Sequence, residues 1–200
     1  MHSLLEWSAR NEWRQPPAET IEAHAAAEGV AAGSLLDPVR AWLDSDLLRE
    51  RVLAPGAAAR AEVPLLLAIE DATLRGSIDL LVEREGQPPL VVDYKTDRLD
   101  GVSPAERAAN YEVQRTIYAL AVAEARDAAA VEVAYVFLER PGEPVLALLD
   151  DEAMVHGRAE LAATIGQIRA GEFPVAPTEQ RDWDLCEGCP ALGRLCSGPL

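Results

Sequence analysis

The run Gly76-Ser77-Ile78-Asp79-Leu80-Leu81-Val82, followed after a short Gly- and Pro-containing turn by Leu90-Val91-Val92-Asp93-Tyr94-Lys95-Thr96-Asp97, decides how this chain reads. It predicts two β-strands joined by a hairpin, each carrying an aspartate, with a lysine two residues beyond the second. Side chains alternate along a strand, so Asp93 and Lys95 share a face. Two converging carboxylates offer hard oxygen ligands to a divalent metal. A metal beside an ammonium group is suited to activating water and to neutralising charge on a phosphate under attack.

The flanks sharpen this reading. Leu90, Val91 and Val92 run straight into Asp93, and Asp79 is followed by Leu80, Leu81 and Val82. Such strands are buried, and ionised groups in them need a partner or a metal. Two carboxylates on adjacent buried strands repel and raise each other's pKa unless a cation lies between them. An isolated Asp-x-Lys on a solvated strand edge would carry no such meaning.

Further along stands Tyr111-x-x-Gln114-x-x-x-Tyr118, whose spacing places all three side chains on one helical face. Two tyrosines there could simply pack a core, but a glutamine on an apolar face requires hydrogen-bond partners. Taken together, Gly-x-Ile-Asp79, Asp93-Tyr-Lys-Thr-Asp97 and the Tyr/Gln/Tyr helix resemble the nuclease domain of the PD-(D/E)XK superfamily. The branch they resemble is the RecB/AddA type, found at the C-terminus of bacterial UvrD-like helicases. Met1-His2-Ser3-Leu4-Leu5-Glu6-Trp7 is similar to the helix that supplies a metal-binding histidine in that branch. The resemblance runs from His2 to the cysteines near residue 196, with its motifs in the family's order.

That resemblance implies an α/β, restriction-endonuclease-like fold, a mixed central sheet flanked by helices. It implies Asp79, Asp93 and Lys95 as catalytic residues. The implied metal is Mg²⁺ or Mn²⁺, with His2, Asp79, Asp93 and the main-chain carbonyl of Tyr94 as ligands. Lys95 would position or polarise the attacking water and stabilise charge developing on phosphorus. Gln114 and Tyr118 would act near the lysine or the DNA backbone, and Glu62 matches a frequently acidic position before the hairpin. The implied activity is exonucleolytic hydrolysis of DNA in double-strand-break repair and recombination, within a helicase–nuclease. Two alternatives stand beside it: a non-catalytic DNA-end or scaffold domain with a degenerate site, and a stand-alone enzyme resembling the CRISPR-associated exonucleases.

Composition bounds the other classes. Two hundred residues, 49% of them apolar, suffice for one domain with its own core. No run approaches the ~18 apolar residues that cross a membrane, and no signal peptide opens the chain, so a cytoplasmic location is expected. Thirty-four acidic against eighteen basic residues give a net charge of −16. That is a weak footprint for an unaided DNA binder, and it fits a partner that supplies the basic channel. No Gly-x-x-x-x-Gly-Lys-Ser/Thr is present, so ATP hydrolysis by that route is excluded. Opening at Met1-His2, the chain reads as a fragment or as starting from a misplaced start codon, with the helicase motor upstream.

The expected elements are helices over 3–14, 17–31 and 38–50, the last opened by Asp37-Pro38. Strands follow at 62–70 and 74–84 around a turn at Asp71-Ala-Thr73, then at 90–96. A capping box, Ser103-Pro-Ala-Glu106, opens a helix running to about Arg126. Strands at 131–139 and 145–149 precede a helix from about 151 to 170 that ends at Gly171. Ala54–Ala61 reads as a loop or short helix. The nuclease domain is expected to span 1–175, with a cysteine-containing tail over 176–200 packed on it.

That tail holds all three cysteines, Cys186, Cys189 and Cys196. Cys-x-x-Cys suits zinc or an iron–sulfur cluster, yet both ordinarily want four ligands. Relatives of the AddB kind and the CRISPR-associated exonucleases carry a 4Fe-4S cluster on three C-terminal cysteines and one upstream of the histidine helix. The resemblance therefore implies a cluster completed only in a longer protein. A trio of free thiols packing the tail is the other reading.

Overall fold

A computed structural model of the chain describes residues 1–172 and 189–194. Three helices come first: α1 (His2–Arg10), α2 (Ala18–Glu28) and α3 (Ala32–Leu43). A π-helical turn over Leu48–Val52 leads to β1 (Ala58–Ile69), β2 (Ala72–Glu83) and β3 (Leu90–Lys95). Then come α4 (Pro104–Ala108), a 3₁₀ turn over Ala109–Tyr111, α5 (Glu112–Arg126), β4 (Ala130–Phe137), β5 (Val145–Asp150) and α6 (Asp151–Ala170). The strands form one sheet in the order β1-β2-β3-β4-β5. Only the β3–β4 pair is parallel, and the rest are antiparallel. A parallel neighbour needs a long crossover, supplied here by α4 and α5. The α/β mixed sheet flanked by helices is thus the observed architecture.

Contact density divides the chain into two units, Met1–Ala162 and Ala163–Leu200. The first contains the whole sheet. All six residues of β3 are buried, as a strand covered on both faces requires. One face of the sheet, through Leu80, Val82, Val92, Tyr94 and Val136, packs on Leu4, Ile21, Val39 and Trp42 of α1–α3. On the other face α5 lies against β4 and β1. In the second unit, the last turns of α6 end at Gly171, which adopts φ 71. Cys189 is exposed and its carbonyl accepts a bond from Leu192 N at 3.1 Å. Cys186 and Cys196 lie outside the described residues.

Several elements differ from their sequence-based boundaries. Pro38 does not open a helix; it sits inside α3, which begins at Ala32. Its missing N–H removes one helical bond, but Leu35, Val39 and Trp42 recur at helical spacing and bury one face in the core, which outweighs that loss. The alanine-rich Ala58–Ala61 is strand, paired with Leu80–Glu83; long-range pairing overrides alanine's helical preference. The hairpin turns at Glu70-Asp71, with Glu70 at φ 51. The helix expected from Ser103 to Arg126 is interrupted at 109–111, where the Tyr111 carbonyl accepts the Tyr135 hydroxyl at 2.6 Å.

Candidate active site

The register puts three acidic residues in a row across three strands. Ala61 pairs with Leu80 and Val63 with Ile78, so Glu62 stands opposite Asp79. Leu80 pairs with Val92, so one step further Asp79 stands opposite Asp93. The ladder is broken at this point. Glu62 adopts φ 51, a left-handed conformation costly for a residue with a Cβ. Leu80 joins the core beneath α1–α3, whereas Ile78 lines a groove with Leu81, Ala121 and Val122 on the α5 side. In a regular strand Ile78 and Leu80 would share a face, so β2 changes phase at Asp79.

This break frees the Asp79 carboxylate to bond elsewhere. Its Oδ2 accepts the main-chain N–H of Tyr94 at 2.7 Å. The carbonyl of the same Tyr94 lies 2.9 Å from His2 Nε2, which is also 3.5 Å from Asp79 Oδ2. The imidazole proton thus stands between two acceptor oxygens. The bond with the Asp79 carboxylate raises the His2 pKa, partial burial opposing it. His2 is placed there by α1, whose Leu4 and Leu5 are buried. Glu62 is held apart from this group by Ser77, whose hydroxyl donates to Glu62 Oε2 at 3.0 Å.

On the α5 side the buried pair Asp93 and Lys95 is tightly enclosed. Lys95 Nζ lies 2.8 Å from Asp93 Oδ2 and donates to Gln114 Oε1 at 2.6 Å. The Gln114 amide donates to the Tyr118 hydroxyl at 2.8 Å, which in turn donates to Asp93 Oδ1 at 2.9 Å. Gln114 and Tyr118, one helical turn apart on α5, thus grip both ends of the Asp-x-Lys unit. Burial pushes the Asp93 carboxyl above the usual range, Lys95 pulling it partly back. Burial, reinforced by Asp93, likewise drives the Tyr118 phenol upward, so it stays protonated and donates.

Two tyrosines complete this pocket. The Lys95 ammonium lies 3.8 Å from the centroid of the Tyr111 ring and 5.2 Å from that of Tyr135. The Tyr111 hydroxyl bonds Asp97 in the segment after β3. Tyr111 could be seen from its helical spacing with Gln114, but not what it touches. Tyr135 gives no local signal: it meets the site only because the parallel register sets it beside Asp93.

Among the described residues no three His, Cys, Asp or Glu side chains are gathered as a ready-made metal centre. The donor chemistry nevertheless fits a hard divalent cation. Asp79, Asp93 and the Tyr94 carbonyl offer oxygens and His2 an imidazole nitrogen, a set such ions accept. Asp93 Oδ2 is buried, with the Lys95 ammonium as its partner at 2.8 Å.

The sequence model of the PD-(D/E)XK nuclease superfamily matches residues 1–196. No curated protein matches the chain. Among solved structures, the chain is similar to that of the protein SSO0001, at 17% identity and TM-score 0.44, covering 91% of this chain and 79% of the other. It is also similar to a protein of Eubacterium rectale named "Putative exonuclease", at 12% identity and TM-score 0.46, covering 94% and 81%. With the family match spanning the mixed sheet and the Asp79, Asp93 and Lys95 strands, the chain belongs to the PD-(D/E)XK nuclease superfamily.

Proposed function

We propose that this chain is a divalent-metal-dependent DNA exonuclease. The supporting observation is the grouping around the main chain of one residue, Tyr94: Asp79 bonds its N–H, His2 approaches its carbonyl, and Asp93 and Lys95 flank it in sequence. His2, Asp79, Asp93 and the Tyr94 carbonyl would hold Mg²⁺ or Mn²⁺. A cation bound there supplies Lewis-acid polarisation of the phosphate and a more acidic water. Lys95, fixed by Gln114, directs its ammonium at charge developing on the phosphate oxygens. Gln114 and Tyr118 keep Asp93 and Lys95 in register, and Glu62, one strand further out, gives catalytic or DNA-backbone support.

The biological setting we infer is a RecB/AddA-like helicase–nuclease acting in repair and recombination in the cytoplasm, with the motor upstream. A net charge of −16 supports a partner that carries the basic DNA channel. Residues 1–175 form the nuclease domain and 176–200 the tail, whose Cys186, Cys189 and Cys196 serve a cluster in a longer protein.

The test is cleavage of end-labelled single- and double-stranded DNA with Mg²⁺, with EDTA, and with Lys95→Ala. Wild type with Mg²⁺ should release short products from an end. Lys95→Ala should lose about 100- to 1000-fold in rate, as when one transition-state donor is removed, while keeping its circular dichroism spectrum. Full activity in Lys95→Ala, or in EDTA, would sink the mechanism. Only internal cuts would replace exonuclease by endonuclease. A reading frame for a helicase immediately upstream in the gene would support the setting.

A further inference from the structure

Lys95 is the only lysine in the chain, against seventeen arginines, and it is nearly buried. Its ammonium has three N–H donors. Two acceptors are accounted for, Asp93 Oδ2 and Gln114 Oε1. On another side lies a π-face: the Tyr111 ring centroid is 3.8 Å from Nζ. That ring is itself fixed at three points. Its hydroxyl bonds Asp97, its main-chain carbonyl accepts the Tyr135 hydroxyl, and its ring rests 5.6 Å from Tyr135 and 6.5 Å from Phe137. Tyr111 closes the 3₁₀ turn at 109–111, immediately before α5.

We propose that Tyr111 is a positioning residue for cleavage: its ring seats the Lys95 ammonium, and its tie to Asp97 fixes the ring. This rests on Lys95 acting in cleavage as argued above. A second carboxylate in that place would hold the lysine equally well but would cancel its charge beyond what Asp93 already offsets. An aromatic face attracts the ammonium through its quadrupole while adding no charge, so the cation stays available to a phosphate. The hydroxyl of Tyr111 contributes orientation, and the ring contributes the seat. Tyr111→Phe should therefore retain the function that Tyr111→Leu loses.

The single lysine makes the seat directly observable. Protein labelled with ¹³C-lysine gives one side-chain Cε signal, and protons lying over a ring face shift upfield. Wild type and Tyr111→Phe should both show that displaced signal, and Tyr111→Leu should show it returned toward the free-lysine position. In cleavage assays Tyr111→Leu should lose about 10-fold in kcat, the scale of a partly desolvated cation–π contact, with KM unchanged. Tyr111→Phe should stay near the wild type. An undisplaced lysine signal in a wild type that cleaves DNA overturns the seat alone, and needs no variant to fold. A displaced signal with undiminished kcat in Tyr111→Leu overturns the positioning role. A wild type that cleaves no DNA overturns the cleavage reading, and the role of Tyr111 with it, whatever the lysine signal shows.

Discussion

His2 Nε2 lies 3.5 Å from Asp79 Oδ2 beside the Tyr94 main chain, and that pair carries a pH dependence. The Asp79 carboxylate favours protonated His2, so the folded pKa lies above the ordinary imidazole value of about 6.5. The sign follows from linkage: the pair adds stability below the unfolded pKa, and this is lost as pH rises through the raised folded value. Followed by NMR, the His2 ring should titrate above about 6.5, and Asp79→Asn should bring it back. Adding Mg²⁺ should lower the apparent value, because a ligating imidazole must be neutral. A His2 ring that titrates identically with and without Mg²⁺ would remove it from the ligand set.

Among the elements, the packing of α6 against α5 is the most sharply constrained. Gly157 is buried in α6, and a Cβ there would collide with Thr116 Cγ2 of α5. Gly157→Ala should therefore destabilise by about 1–3 kcal/mol, the usual cost of overpacking. Combining it with Thr116→Ser deletes the colliding methyl and should recover most of the loss. Thermal melts of the three variants check this; an additive double variant would contradict the contact. The short helix α4 offers a second check. Its capping box pairs Ser103 Oγ with Glu106 N at 3.2 Å, and Glu106 Oε2 with Ser103 N at 2.8 Å. Ser103→Ala should cost about 1 kcal/mol in a denaturant titration.

For the molecule as a whole, charge is the dominant constraint. At −16 the chain repels itself, and the candidate site adds carboxylates at the core's edge. A cation that binds the folded state alone stabilises it by mass action, about 2.7 kcal/mol when free metal is 100 times Kd. At constant ionic strength Mg²⁺ should therefore raise the melting temperature of wild type, and EDTA should reverse the rise. Asp93→Asn should abolish most of it. An equal rise in both proteins would mean general screening of surface charge rather than a site. No helix among the described residues is long and apolar enough to cross a membrane.

What was legible in the amino-acid order was everything set by local spacing. Period two along a strand put Asp93 and Lys95 on one face, and an i, i+4 step put Gln114 and Tyr118 together on α5. The apolar run before Asp93 marked β3 as buried, and strand, helix, strand implied a mixed α/β sheet. Tertiary structure alone decided the rest, because register and packing are contacts between distant residues. Only the sheet register sets Glu62, Asp79 and Asp93 in a row and breaks the ladder there. Only the docking of α1 brings His2 across 92 residues of sequence to the Tyr94 carbonyl. Only core burial by Leu35, Val39 and Trp42 keeps Pro38 inside a helix. The aromatic seat for Lys95 is of this second kind: spacing puts Tyr111 on the face of Gln114, but only the fold sets its ring against Lys95, and Tyr135 arrives through a parallel strand with no local signature.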